Sequence, residues 1–591
     1  MVYSYLFEAK SIQTYLFKTG KVKDIIATSE RLDLLVDDNE ESLLFKVIKA
    51  AELTSDLLTS KDEPLDNDIN FIRCKGGAFY CYSTNKTSLV KLRSLWTLAV
   101  QQMFPSLEFT DALVSGNTLQ TAIQSGHKQL AADRNTPTVK LPIATSISER
   151  SSRTGSAATP MSKAAKYESI QDANGEYEKI DIDTDFHRQA YSNLAMKDGA
   201  ALQDKFTPEN LKTNKGAPRK VHYPVDLENN FQFVAKSAIK KSDKEAIKDI
   251  ALIHIDGNGL GLLLRALQVA LKSATDEQFC RAFRQFSEAL AKATQHAAQQ
   301  ATQELYNVAN YQLDGSSKVY LPMRPLVLGG DDVTLLCRAD LALKYSSTFC
   351  KAFKESSQKE LAQLYKEHLL NAKKINPYLT ASGGILYHKA NHPFVNSHHL
   401  VEGLCAKAKK LTKDLGPEIS PAALAFFRLS NSVTGDIETL CRQSQVFSVK
   451  DVHGESLLSL GVNAYVVDQN DSHQSLDNLF ECIKLSNKEK TAVSMTKWRQ
   501  MATELALGDK VEADRIYARA MSLCENKAGS EQVKQLQKLS GDNTDSTQWY
   551  WSVTNQESPY LQSVISDMLI VDHFSIVNAE EHSNTSTKET A

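Results

Sequence analysis

The spacing of apolar and polar residues changes period repeatedly along this chain, and each change marks an element. "YSYLFEA" is an apolar run of strand length, and "SIQTYLFKTGKVKDIIATSERLDLLVDD" carries helical spacing interrupted at Gly20. "INFIRCKGGAFYCYS" predicts a hairpin around Gly76-Gly77, and "KTSLVKLRSLWTLAVQQMF" an amphipathic helix. From 125 to 245 the periodicity fades. "NTPTVKLPIATSISERSSRTGSAATPMSK" is rich in Ser, Thr, Pro and Gly, which predicts a connecting module with long polar loops rather than a strong core.

Order returns at "IKDIALIHIDGNGLGLLLRALQVALKSA", where an apolar strand, Ile250–Ile255, runs into Asp256, a glycine-bearing turn and a helix. A second helix, about Glu277–Leu305, precedes "RPLVLGGDDVTLLCRAD", two apolar runs joined by Gly329-Gly330-Asp331-Asp332. A helix, the strand "YLTASGGILYH", the helix "LVEGLCAKAKKLTK" and an edge strand "LAFFRLS" follow. The order β-α-β-β-α-β is the ferredoxin-like arrangement used by polymerase palms. The first segment repeats it: "YLFEAKSIQTYLF" over "LIHIDGNGLGLLL" sets Glu8 on Asp256. "CKGGAFYCY" over "VLGGDDVTL" sets Gly76-Gly77 on Gly329-Gly330 and Ala78-Phe79 on Asp331-Asp332. The expected class is therefore α+β. Residues 1–124 form a degenerate first palm, 125–245 a partly helical connecting module, and 246–432 a second palm with the acids. Residues 433–577 read as a helical C-terminal domain and 578–591 as a disordered tail.

A formal charge of -3 over 591 residues gives no polycation signature, so any nucleic acid is met through a local patch or other subunits. The nine cysteines contain no CxxC pair, which fits free thiols in a reducing cytosol. No apolar run approaches the roughly 20 residues of a membrane span. The amino end lacks a basic leader, so a cytoplasmic protein without a membrane partner is expected.

The chemistry lies with the acids. In a β-α-β-β sheet the first and third strands are neighbours, so Asp256, Asp331 and Asp332 can converge. Adjacent carboxylates repel unless a positive charge lies between them. Three hard oxygen donors suit Mg²⁺ or Mn²⁺, and two such ions activate an attacking hydroxyl and stabilise departing pyrophosphate. In this reading Gly257, Asn258 and Gly259 let backbone approach a triphosphate, while Gly329 and Gly330 leave room for a nucleotide. Ser382 and Gly383 of "LTASGGI" are candidates to meet a base or ribose, and Lys409 of "LCAKAKKLTK" a phosphate. An exposed hairpin turn, a Ser-Gly-Gly bulge and a solvated lysine face are the plainer readings of the same residues.

"HIDGNGLG", "LGGDDVTLLCRADLAL", "LTASGGILYHKANHPF" and "LCAKAK", in this order, resemble the catalytic palm of the large polymerase-like subunit of type III CRISPR-Cas effector complexes. "SIQTYLFKTGKVKDIIATSERLD" resembles that family's degenerate first palm, including its Ile-Gln. The resemblance covers 1–120 and 246–430 and implies conversion of ATP to cyclic oligoadenylates when target RNA binds. The implied partners are the other subunits of a crRNA-containing complex. The chain starts at the first palm, so an HD nuclease is not expected. Ser151 and Thr154 stand at the spacing of the family's CxxC element, so zinc is not expected either. Two alternatives remain open: a diguanylate-cyclase-like enzyme, against which Val333 stands where such proteins have Phe, and a non-catalytic scaffold of an RNA-binding assembly. Gly76 and Gly77 of the first palm are candidates to cradle a second ATP.

Overall fold

The structure, a computed structural model, describes residues 1–37, 40–57, 67–136, 144–195, 201–212, 221–224, 249–308, 319–369, 376–390, 392–414, 421–430, 435–451, 454–467, 474–488, 492–524, 528–540, 548–554 and 559–575. The expected tail, 578–591, lies outside them, as does much of the connecting module.

Two ferredoxin-like sheets carry the fold. The first contains β1 (Val2–Ala9), β2 (Asn70–Lys75), β3 (Ala78–Ser83) and β4 (Phe109–Gly116) in the order β2-β3-β1-β4. Its second face-covering helix, Leu119–Asp133, crosses the boundary expected at 124. The reason is packing: Leu119, Ile123 and Leu130 are buried, and a methyl group on Gly126 would lie 2.6 Å from Leu6. The short strand β5 (Val221–His222) precedes the second palm. That palm contains β6 (Asp249–Asn258), β8 (Met323–Gly329), β9 (Asp332–Arg338) and β10 (Thr380–Lys389), while β7 (Val319–Tyr320) pairs with β5. The order β10-β6-β9-β8 repeats that of the first sheet strand for strand, as the internal repeat predicts.

Strand β6 reads as an unbroken apolar run because both of its faces are covered. Ala251, Ile253 and Ile255 face the side where the long helices Asp276–Val308 and Ala342–Glu360 pack. Ile250 and Leu252 join Leu400, Val401 and Leu404 of the helix Phe394–Asp414. That second cluster continues into Phe7, Phe79 and Trp96, so the two palms share an apolar core.

The strand β11 (Ala423–Arg428), expected at a sheet edge, is interior. It runs parallel to β10, and β14 (Ala464–Val466) closes its other side, giving six strands in all. The C-terminal part contains helices, as expected, and also a four-stranded sheet of β12 (Val446–Asp451), β13 (Gly454–Ser459), β15 (Trp551–Thr554) and β16 (Pro559–Gln562). Asp567, fully buried on the helix Ile565–Ser575, accepts from the backbone N–H of Val462 (2.7 Å) and Asn463 (3.0 Å) and from the Tyr465 hydroxyl (2.5 Å). None of the nine cysteines is joined in a disulfide. Among the described residues no helix is long and apolar enough to cross a membrane.

The polar connecting module is not loosely attached. Arg188 forms a two-pronged pair with Asp24 of the first palm (3.0 and 3.1 Å), both side chains being 1% exposed. Tyr15 and the Ser106 N–H donate to Asp183 (3.0 and 2.8 Å), and Lys21 pairs with Glu178 at 2.9 Å. The Ser151–Thr154 turn is held by hydrogen bonds, Thr154 donating to Asp181.

Glu30 is buried and accepts from the Leu202 N–H at 3.0 Å. Burial raises its carboxyl from 4.5 to about 7. The folded state therefore binds more protons than the unfolded chain in that window, and stability falls as pH rises through it. Glu30→Gln keeps the acceptor without the ionisation. It is expected to flatten the fall in melting temperature between pH 4.5 and 7 and to add on the order of 3 kcal/mol at pH 8. Parallel pH–melting curves for the two proteins would refute this.

Candidate functional site

Register places the acids. Along β6 and β9, Ile255 pairs with Val333, which carries Asp256 to the level of Asp332. Gly329 pairs with Asp332, so Gly330 and Asp331 are the two turn residues. Gly330 has φ +62°, the left-handed conformation that the first position of such a hairpin turn favours for glycine. Alternation along the strands sets His254, Asp256, Asp332 and Thr334 on one face, toward the helix Phe394–Asp414 and the first palm.

The same registers correct the expected alignment of the palms. In the first hairpin Glu8 pairs with Ala78 and Lys75 with Ala78, so the turn residues are Gly76 and Gly77. Gly77 thus corresponds to Asp331, Ala78 to Asp332 and Phe79 to Val333, one residue away from the alignment read in sequence. Both turn glycines have positive φ, +66° and +72°, where the second palm has one such residue and an acid. Glu8, at the position of Asp256, accepts a hydrogen bond from Tyr80.

Gly257 makes room for an acid, not only for a ligand. A methyl group there would sit 2.7 Å from Asp331 Oδ2 and 2.8 Å from its Cβ. Around Gly259, Gly329 and Gly330 the corresponding space is open, and Gly259 (φ +81°) begins the helix Leu260–Ala270. Asp332 Oδ2 accepts from Gln13 Nε2 of the first palm at 3.1 Å. Its Oδ1 is buried without a hydrogen bond, with His254 Nδ1 3.3 Å away. His254 is buried and bonds Thr334 at 3.0 Å, and burial pushes its imidazole pKa down. Burial first, then the charge of Asp256, pushes the carboxyls of both Asp331 and Asp332 up.

Lys409 reaches the site as expected, but it meets an acid: Nζ lies 2.5 Å from Asp256 Oδ2 and 3.1 Å from the Gly257 carbonyl. Asn258, Ser382 and Gly383 lie side by side on the sheet behind the acids. Asn258 Nδ2 donates to Thr380 (3.2 Å) and to Ser382 Oγ (2.8 Å), which is fully buried. A methyl group on Gly383 would lie 2.8 Å from Ile255, so this glycine answers to strand packing.

As they stand, the acids are not drawn together: among the described residues no group of three His, Cys, Asp or Glu side chains is disposed to hold a metal ion. The chemistry nevertheless fits a cation. Asp332 has a buried oxygen without a donor, and Asp331 and Asp332 carry mutual repulsion with Asp256 that a hard divalent ion relieves. The sequence missed Gln13 and His254. His254 was legible in principle, since it lies two residues from Asp256 on the same strand face.

Residues 249–415 match the family model of Cas10/Cmr2, second palm domain. Solved structures similar to this chain include a Csm1–Csm4 cassette in complex with cA3, at 10% identity and TM-score 0.47, covering 97% of this chain and 70% of that one. The cassette in complex with cA4 is similar at 10% identity and TM-score 0.41, covering 98% and 69%. Csm1 of T. onnurineus is similar at 11% identity and TM-score 0.43, covering 88% and 64%. No curated protein matches. Family match and strand register fall on the same acid-bearing unit: residues 249–415 are similar to the second palm domain of Cas10/Cmr2.

Proposed function

We propose that this chain is the nucleotidyltransferase subunit of a type III CRISPR-Cas-like antiviral complex, making cyclic oligoadenylates from ATP when target RNA is bound. The observation that carries the reading is the placement of Asp256 beside the Asp331-Asp332 turn, next to the open backbone of Gly329 and Gly330. Asp256, Asp331 and Asp332 would hold two Mg²⁺ or Mn²⁺ ions. Such ions, when bound, supply Lewis acidity toward the attacking hydroxyl and the departing pyrophosphate.

The remaining work falls to the protein. A ribose 3′-hydroxyl attacks the α-phosphorus of a second ATP, its proton passes to solvent, the bond to pyrophosphate breaks, and Asp331 and Asp332 fix where that exchange occurs. Lys409 holds Asp256 in line by its ammonium group and is released toward phosphate when Asp256 is otherwise neutralised. The first palm, lacking counterparts of Asp331 and Asp332, holds no catalytic ion. Its Gly76-Gly77 turn, packed on Ile12 at Gly77 and more open at Gly76, would offer the acceptor ATP backbone on its open side, so that joining becomes effectively unimolecular.

The test is a product assay of the purified chain with its RNA-bearing partners and Mg²⁺ or Mn²⁺. ATP is expected to be consumed with pyrophosphate release and oligoadenylate formation, while GTP alone yields no cyclic dinucleotide. Conversion of GTP to a cyclic dinucleotide with ATP untouched would make the chain a diguanylate-cyclase-like enzyme. Turnover of neither would make it a scaffold.

A further inference from the structure

We propose that Gln13 of the first palm is a positioning residue for Asp332, placed by the Gly76-Gly77 turn. The inference rests on the reading of Asp332 as an acid of the transfer site. Gln13 Nε2 donates to Asp332 Oδ2 at 3.1 Å across 319 residues of sequence, from one palm to the other. A neutral amide suits this place. It fixes one oxygen of the carboxylate by hydrogen bonding and leaves the other, the oxygen without a donor, for a cation.

The segment that carries Gln13 is held on every side. Ser11, immediately before the helix Ile12–Phe17, is a non-glycine residue in the left-handed region, at φ 48° and ψ 42°, and its side chain makes no capping bond. Such conformations persist where surrounding structure imposes them. Here the imposing contact is visible: Ile12 lies against the first-palm turn, so closely that a methyl group on Gly77 would be 2.7 Å from Ile12 Cδ1. At the other end Tyr15 donates to Asp183 at 3.0 Å. Phe17 packs on Phe394 and His398, with ring centres 5.1 and 3.8 Å apart, on the helix that also bears Lys409. A turn in the degenerate palm thereby fixes an acid in the other palm through Ile12 and Gln13.

The experiment uses the full chain with its partner subunits and three variants, Gln13→Leu, Gln13→Glu and Asp332→Ala. Gln13→Leu removes the donor without adding charge, so a residue that only packs would tolerate it, whereas Gln13→Glu keeps the size and sets a further carboxylate against Asp332. Both Gln13 variants are expected to lower kcat for ATP about tenfold or more, with KM changed less than about twofold, the loss of a hydrogen bond to a charged group. In binding measurements with Mn²⁺ alone, Gln13→Leu is expected to weaken affinity about tenfold, a readout independent of turnover. Wild-type kcat and Mn²⁺ affinity in folded Gln13→Glu and Gln13→Leu, beside an inactive Asp332→Ala, would overturn the inference and leave the site reading intact. Full activity in Asp332→Ala would remove the site reading itself, and this inference with it.

Discussion

Replacing Asp331 and Asp332 together by Ala is expected to reduce oligoadenylate formation by more than about a hundredfold, because the groups that would hold the divalent ions are lost. The same variant is expected to melt higher than the parent at pH 8 in the presence of a chelator. Both carboxyls are pushed up by burial and by Asp256, so ionising them at neutral pH opposes folding. The folded state keeps protons that the unfolded chain releases, so parent stability falls as pH rises from the ordinary carboxylate range through the raised one. The two melting curves should therefore converge near pH 4 and separate toward pH 8. The groups facing Asp332 in that comparison are Asp256, Glu402, Lys409, His254 and Gln13. Retained turnover in the double variant would sink the assignment, and a lower melting point at pH 8 would show that the acids are part of the packing.

The largest loss of stability is expected at Arg188. Its guanidinium is buried, paired with Asp24 by two hydrogen bonds, and also donates to Ser169 at 2.6 Å. Arg188→Ala leaves Asp24 buried and uncompensated, at a cost of roughly 3–5 kcal/mol. Replacing both partners with apolar residues, Arg188→Met with Asp24→Leu, is expected to recover most of that loss, because Asp24 is no longer a buried unpaired charge and Glu178, which Arg188 also meets, keeps Lys21. Urea unfolding followed by intrinsic fluorescence measures both. An unchanged midpoint for Arg188→Ala would show that the pair contributes nothing net.

Arg188 also shows why part of this chain was hard to read. Between 144 and 195 Ser, Thr, Asp, Glu, Lys and Arg crowd the sequence, and that composition normally marks solvated loops. Here many of these residues face the first palm and pair with its Lys18, Lys21 and Asp24, which no pattern within the segment reveals. Strand β6 and the Gly-Gly-Asp-Asp hairpin were legible because an apolar strand ending in an acid, and two apolar runs around a turn, are local signals. The one-residue error in matching Gly76-Gly77 to Gly329-Gly330 has a simple origin: glycines carry no side chain to mark the register. Strand β11 looked like an edge because its outer partner comes from residues 464–466, after an intervening helix. The bond from Asn258 to Ser382 was not legible, because a hydroxyl on a strand gives no sign of its partner.

The closure of β11 by β14 bears on how the chain folds as it is made. Until Ala464–Val466 arrives, β11 presents a row of unpaired backbone groups on an apolar strand, an invitation to pair with another molecule. The loop that presents β14 is itself fastened by Asp567, roughly 140 residues beyond β11. At a synthesis rate of about 5–20 residues per second, the second palm waits on the order of ten seconds for its last fastening. A nascent chain arrested just after residue 430 is thus expected to need a chaperone, whereas the released 591-residue chain is not.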